Sequence, residues 1–389
     1  MIYLDHAATT GVRPEVFAAM TPYLTGSYGN PSSAYDHAFA ARDAIKKARQ
    51  QTASLIDADP ECIYFTSGGT EADNWALRST ARMLYQKGRH IITSSIEHHA
   101  VLHTADFLES VGFEVTRLPV DENGLVNPRT LEAAIRPDTI LISIMFANNE
   151  IGSIQPVKEL AAVARRRGIL FHTDAVQAFG QIPISVNKLG IDMLSASAHK
   201  LCGPKGTGCL YIRKGIELPP LLFGGSQENG HRAGTENVPG IVGFGEACAL
   251  AAAEMDETIQ RETQLRDYLI DSVLSRIPYA RLNGSLLHRL PGNANFAFQF
   301  VEGATLLIML DMKGLCASAG SACTASSNSP SHVLNAIGLP DEIARGYLRL
   351  TLGRETTREE IDITIDSLEE ILSNLRDLSD DYARILHRS

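Results

Sequence analysis

Between residues 60 and 215 the chain alternates two kinds of segment, and this alternation constrains the fold more than any other feature. The runs CIYFTS, HIITSS, EVTRLPV, TILISIMFA, ILFHTDA, DMLSAS and GCLYIR are short and rich in residues that favour strands. Between them, EADNWALRSTARMLYQK, VLHTADFLESVG and PVKELAAVARRRG carry apolar residues three and four positions apart, which predicts helices with one buried face. Strand and helix in alternation predict an α/β fold, a mainly parallel sheet covered by helices, with functional groups at the carboxyl ends of the strands. After residue 237, PGIVGFGEACALAAAEMDETIQRETQLRDYLIDSVLSRI reads as one long helix leading into a smaller α/β unit. NANFAFQF and YLRLTL are the strands expected there, and REEIDITIDSLEEILSNLRDL its amphipathic helix.

The chain has 389 residues, 44% of them hydrophobic, enough for a large core. Its net charge of −10 argues against nucleic acid or an anionic membrane as a main partner. The one basic run, Arg165, Arg166 and Arg167, sits at the end of a helical pattern, where it favours the helix dipole. No apolar run long enough to span a bilayer is expected, and MIYLDHAATT has neither a basic nor an apolar leader region, so the expected location is the cytoplasm. Six cysteines (62, 202, 209, 248, 316 and 323) are scattered without a CxxC pair, which indicates neither a disulfide framework nor a zinc knuckle. Cys62, Cys209 and Cys248 lie in apolar patterns and are expected to be buried and inert.

Four stretches carry candidate chemistry. FTSGGTEADN (65–74) runs a strand through two glycines into a helix, the outline of a phosphate cradle without Walker or GxGxxG spacing. EHHAVLH (97–103) places His99 and His103 on one helical face; the HExxH order of a zinc protease is absent, so no metal is expected and an aromatic role for one histidine is favoured. HTDAVQ puts Asp174 at the carboxyl end of a buried strand, where a carboxylate needs a cation. LSASAHKLCGPKGTG ends a strand with Ser197, His199 and Lys200, and a sheltered lysine can form a Schiff base. Together they fit pyridoxal phosphate: Asp174 for the ring nitrogen, Lys200 for the aldehyde, the glycine turn for the phosphate, a histidine on the ring, and Asn149 and Gln177 near the ring hydroxyl.

With these motifs in place, the chain resembles the cysteine desulfurases of the NifS and IscS type, fold-type I pyridoxal-phosphate enzymes of the class V aminotransferase group. YLDHAATT, GNPSS (29–33), FTSGGTEADN, EHHAV, NNEIG (148–152), HTDAVQ, SAHKLCGPKGTG, RAGTENV (232–238), SAGSACTA and RLTLGR (349–354) carry the likeness over nearly the whole length. The resemblance implies a large cofactor domain, 15–255, and a small domain of 1–14 and 256–389. Lys200 would bind the cofactor aldehyde, His98 would stack on the ring and shuttle protons, and Gly69, Thr70, Ser197 and His199 would hold the phosphate. Thr235 would reach that phosphate from the other subunit of a homodimer. Arg349 would grip the substrate carboxylate, assisted by Asn30.

The family also implies that Cys323 takes sulfur from L-cysteine as a persulfide, leaving L-alanine, and passes it to an acceptor such as an iron–sulfur scaffold protein. That gives a purpose to ASAGSACTASSNSPS (317–331), which lacks large side chains and reads as a mobile tether. Eight extended residues span about 25 Å. The alternatives are a selenocysteine lyase or another class V aminotransferase; the latter has no use for a tethered thiol. SNSPSH departs from a more usual Leu-Glu before Pro-Ser, a change that bears on which acceptor docks beside the loop.

Overall fold

The computed structural model describes residues 1–319, 331–379 and 382. The chain opens with strand β1 (Ile2–Tyr3) and helices α1 (Pro14–Thr25) and α2 (Phe39–Leu55). Then follow β2 (Ile63–Thr66), α3 (Gly69–Met83), β3 (His90–Ser94), α4 (His99–Ser110), β4 (Glu114–Leu118), α5 (Pro128–Ala134) and β5 (Thr139–Ser143). α6 (Val157–Arg166), β6 (Leu170–Asp174), α7 (Val186–Leu189), β7 (Met193–Ser197) and β8 (Gly208–Ile212) complete the alternating stretch. The long helix α8 (Val238–Arg276) leads to β9 (Ala280–Leu282), β10 (Asn293–Phe298), α9 (Gly303–Met312) and β11 (Leu315–Cys316). α10 (His332–Ala336), α11 (Asp341–Ala344), β12 (Tyr347–Thr351) and α12 (Arg358–Asp377) finish the described chain.

All seven strands expected between residues 60 and 215 join one sheet in the order β2-β8-β7-β6-β5-β3-β4. The pairs from β7 through β4 are parallel, and β8 runs against both its neighbours. The reversal at β8 has a simple cause: the ten residues between β7 and β8 are too few for a crossover helix. The strands read as continuous apolar runs because each feeds two cores. Ile91, Leu141, Met193 and Leu210 pack with Trp75, Ala76 and Val101 of α3 and α4. Their chain neighbours Ile92, Ile142, Leu194 and Cys209 face the other side, with Ile45 of α2, Leu160 of α6 and Phe244 of α8.

The 39-residue α8 includes an 18-residue stretch of mean hydropathy 1.3, so it does reach membrane-spanning length and apolarity, contrary to the expectation from the sequence. Its apolar residues have a protein partner: Ile241, Phe244, Ala247 and Cys248 pack with Ala41, Ile45 and Ala48 of α2. Its second half covers a smaller antiparallel sheet, ordered β12-β10-β9. There Leu269, Ile270 and Val273 meet Phe296, Phe298, Leu348 and Leu350, and Ile361, Ile365 and Leu368 of α12 join them. Leu348 and Leu350 enter this core, so Arg349 between them projects from the opposite face of β12. β1 lies beside β11 in parallel register, Ile2 opposite Leu315 and Tyr3 opposite Cys316, a pairing the sequence did not announce.

Candidate active site

A cavity of about 250 Å³ opens at the carboxyl ends of the sheet strands. Gly69, Thr70, His98, Asn149, Asp174, Gln177, Ser197, His199, Lys200 and Arg349 all line it. These ten residues come from six separate stretches of sequence and meet because parallel strands deliver their exits to one edge. Thr235 and Asn30 are exposed and line no part of this cavity within a single chain. Asn30 caps its own turn instead, its Oδ1 accepting from the Ser32 N–H at 3.0 Å. Cys323 lies outside the described residues.

Asp174 closes β6 and is 5% exposed. Its Oδ1 accepts the Val176 N–H at 2.9 Å, and burial pushes its carboxyl above the ordinary range, opposed by that N–H and by Lys200. Lys200 ends the short turn Ala198–Lys200 that follows β7. Its Nζ donates to the carbonyl oxygens of Ala7 and, at 2.7 Å, Ala8. Gln177 reaches the same N-terminal segment, its Nε2 donating to Ala7 O at 3.0 Å.

His98 is the N-cap of α4, and its Nδ1 accepts the Ala100 N–H at 3.1 Å. That bond leaves the proton of the neutral ring on Nε2. Burial, followed by His99, Lys200, His332 and His103, lowers its pKa to about 4, so the ring is neutral at pH 7. His199 is likewise lowered to about 4, by burial and then by Lys200 and Lys205, and its Nδ1 lies 3.1 Å from Thr9 Oγ1. His99 meets His103 in a tilted contact and His332 edge-on, ring centroids 5.0 Å apart in each pair, but among the described residues no group of three ligating side chains is arranged to hold a metal.

The first turn of α3 presents backbone N–H groups that have no partner within the helix. Gly69 begins it, and a Cβ there would fall 2.5 Å from Val176 Cγ2. Arg232 braces this turn from the RAGTENV segment, donating to both oxygens of Glu71 at 2.8 and 3.1 Å. Arg349, 2% exposed, donates from Nη1 to Asn149 O at 2.9 Å and from Nη2 to Asp5 Oδ1 at 2.8 Å. Below the cavity Glu97 receives Ser94 Oγ at 2.5 Å and the Met145 N–H at 2.9 Å. Burial holds Glu97 protonated, pushed up to about 8.

Asp5, Ala7 and Ala8 were not expected to serve the site, although they lie in the YLDHAATT motif. Ala7 and Ala8 act through carbonyl oxygens, which leave no mark on residue type. Asp73, in α3, was also overlooked: it lines the cavity 1% exposed, and its Oδ1 has no hydrogen bond. The other thiols follow expectation, with Cys62, Cys209 and Cys248 buried and their pKa raised, Cys248 to about 12.

The residues fit pyridoxal phosphate. A buried carboxylate in need of a cation, a lysine on the same cavity and an anion-ready helix terminus narrowed by Gly69 are the donor set that group requires. A family model described as "Aminotransferase class-V" matches residues 2–364. The chain belongs to this pyridoxal-phosphate-dependent family. Within it, the chain is 56% identical to a cysteine desulfurase IscS of Methanosarcina thermophila, over 97% of this chain and 93% of the relative. It is 54% identical to a cysteine desulfurase IscS of Dictyoglomus turgidum, over 97% and 96% of the two chains. Among solved structures, a NifS-like protein superposes with a TM-score of 0.90 at 40% identity, covering 96% of this chain and 99% of the other. A structure described as SspA in complex with cysteine superposes at 0.82 with 40% identity, over 90% and 99%.

Proposed function

We propose that the protein is a cysteine desulfurase in which Cys323 takes the sulfur of L-cysteine as a persulfide and releases L-alanine. The observation that carries this reading is the convergence of Asp174, Lys200, His98 and Arg349 on one cavity, in a chain closely similar over its length to named cysteine desulfurases. Pyridoxal phosphate, held by Asp174, Lys200 and the α3 terminus, supplies an electron sink that makes the substrate Cα proton acidic.

The chain's own groups do the rest. Arg349 grips the α-carboxylate and so fixes which way the side chain of the amino acid points. The amine of Lys200 carries the proton away from Cα. His98 exchanges a proton at the substrate sulfur through Nε2, the ring nitrogen left available by the Nδ1 cap bond. The Cys323 thiolate attacks that sulfur; the S–S bond forms as the C–S bond breaks, and Cβ gains a proton to give alanine. Atoms balance as L-cysteine plus thiol giving L-alanine plus persulfide.

The protein is read as a cytoplasmic homodimer, with Thr235 of each subunit completing the phosphate site of the other. Thr235 is exposed and lines no part of its own chain's cavity, which supports this reading. The sulfur acceptor is read as an iron–sulfur scaffold protein. Turnover of L-cysteine with a thiol reductant tests the reaction: alanine and sulfide should form in equal amounts. Lys200→Ala should abolish both, and formation of pyruvate in place of alanine would overturn the reading.

A further inference from the structure

Arg349 is a buried cation already engaged before any substrate arrives. It is 2% exposed, and its Nη2 donates to Asp5 Oδ1 at 2.8 Å while its Nη1 donates to Asn149 O at 2.9 Å. Its Nε is buried without a partner. We propose that Asp5 is a positioning residue that sets how tightly Arg349 holds the α-carboxylate of substrate and product. This rests on the reading of Arg349 as the carboxylate binder.

Asp5 cannot move aside easily. The residue before it is fixed on both flanks, Leu4 N–H donating to Cys316 O at 2.9 Å and Leu4 O accepting from Thr351 N–H at 2.7 Å. Two residues later the Ala7 N–H donates to Thr351 Oγ1 at 2.9 Å. The Asp5 carboxylate is therefore held beside the guanidinium by β11 and β12 together. It compensates a charge that would otherwise be buried without an anion. It also orients the planar fork, so that the orphaned Nε–H and the second Nη protons remain for an incoming carboxylate.

The same arrangement has a cost for the ligand. A second carboxylate entering beside Asp5 meets a like charge at short range, so its affinity lies below that of a lone buried arginine. L-Alanine carries the same α-carboxylate and amine as L-cysteine, and a grip strong enough to be permanent would hold product as firmly as substrate. A fixed internal counter-anion supplies orientation while keeping that grip reversible.

The two effects separate by substitution. Asp5→Asn keeps an oxygen acceptor for Nη2 and removes the charge; Asp5→Ala removes both. Calorimetric titration of L-alanine into the cofactor-loaded protein reads affinity without turnover. Asp5→Asn should bind L-alanine about three- to tenfold more tightly, because the like charge is gone. Asp5→Ala should bind it more weakly than Asp5→Asn by roughly tenfold or more, because it gains the same relief of like charge but no longer orients the fork. If Asp5→Asn binds L-alanine no more tightly than the wild type, or if the two variants bind it equally, the proposal for Asp5 fails. Arg349→Ala is the control: a loss of roughly a hundredfold is expected from removing a charge-assisted pair. Unchanged binding in Arg349→Ala would overturn the carboxylate reading of Arg349 itself, and the Asp5 proposal with it. Should Asp5→Ala fail to fold, the direction of change in Asp5→Asn still decides.

Discussion

Burial sets the charge of His98 more than any single neighbour does, and this has a consequence for stability. Its folded pKa lies near 4, below the ordinary 6.5, so between those values the unfolded chain binds the extra proton more readily. The histidine's contribution is therefore fully present above pH 6.5 and is lost as the pH falls through that window toward 4. Buried carboxyls such as Glu97 act in the opposite sense, so the comparison must isolate one residue. Urea unfolding of the cofactor-free protein at pH 7, 6 and 5 should show a smaller loss on acidification in His98→Gln than in the wild type; equal losses would contradict the environment described for His98. Asp174 makes the second prediction at this scale. On the proposed role, Asp174→Asn would leave a neutral group where the ring nitrogen would need an anion, and turnover should drop at least about a hundredfold, the cost of breaking a buried ion pair. Absorbance spectra during cofactor titration and alanine assays check this, and near-normal turnover would sink the assignment.

Elements fix these residues through close backbone contact. Gly208 in β8 is one such contact near the site: a Cβ there would lie 2.5 Å from Ala196 O and 2.7 Å from Gly68 Cα. Gly208→Ala should push β8 away from β7 and from the turn that opens α3, costing roughly 1–3 kcal/mol of stability. Cofactor affinity should fall with it, as thermal melts with and without cofactor will show. The seven strands of the large sheet, β10, β12, α3, α4, α6, α8 and α12 were legible because apolar period and composition act locally, as Ile91 and Ile92 show by facing opposite cores, whereas the short strands β1, β9 and β11 were not. Asp174 and Lys200 were legible because a charge at the end of an apolar strand is costly and must have a reason. The pairing of β1 with β11 and the service of Ala7 O and Ala8 O to Lys200 were hidden, since both join residues far apart in sequence through backbone atoms. Reversal at β8 was hidden too, because strand propensity carries no direction.

Across the whole molecule, the N-terminal segment ties the two sheets to one site. Asp5 holds Arg349 on β12, Ala7 and Ala8 accept from Lys200 after β7, and Thr10 Oγ1 donates to His199 O at 2.9 Å. The proposed homodimer adds a second dependence between chains. Mixing inactive Lys200→Ala subunits with a Thr235→Ala variant that retains cofactor poorly should restore turnover, since each mixed dimer rebuilds one complete site; no gain on mixing would place Thr235 in its own chain's site or in none. Transfer of sulfur from L-cysteine to Cys323 is the step on which the proposed function stands. The most direct measurement is mass spectrometry of the peptide containing Cys323 after a brief exposure of the cofactor-loaded protein to L-cysteine, with alanine quantified in the same sample. One added sulfur atom on Cys323 and an equal amount of alanine are expected. Alanine with the added sulfur on another cysteine, or a keto acid with Cys323 unchanged, would contradict it.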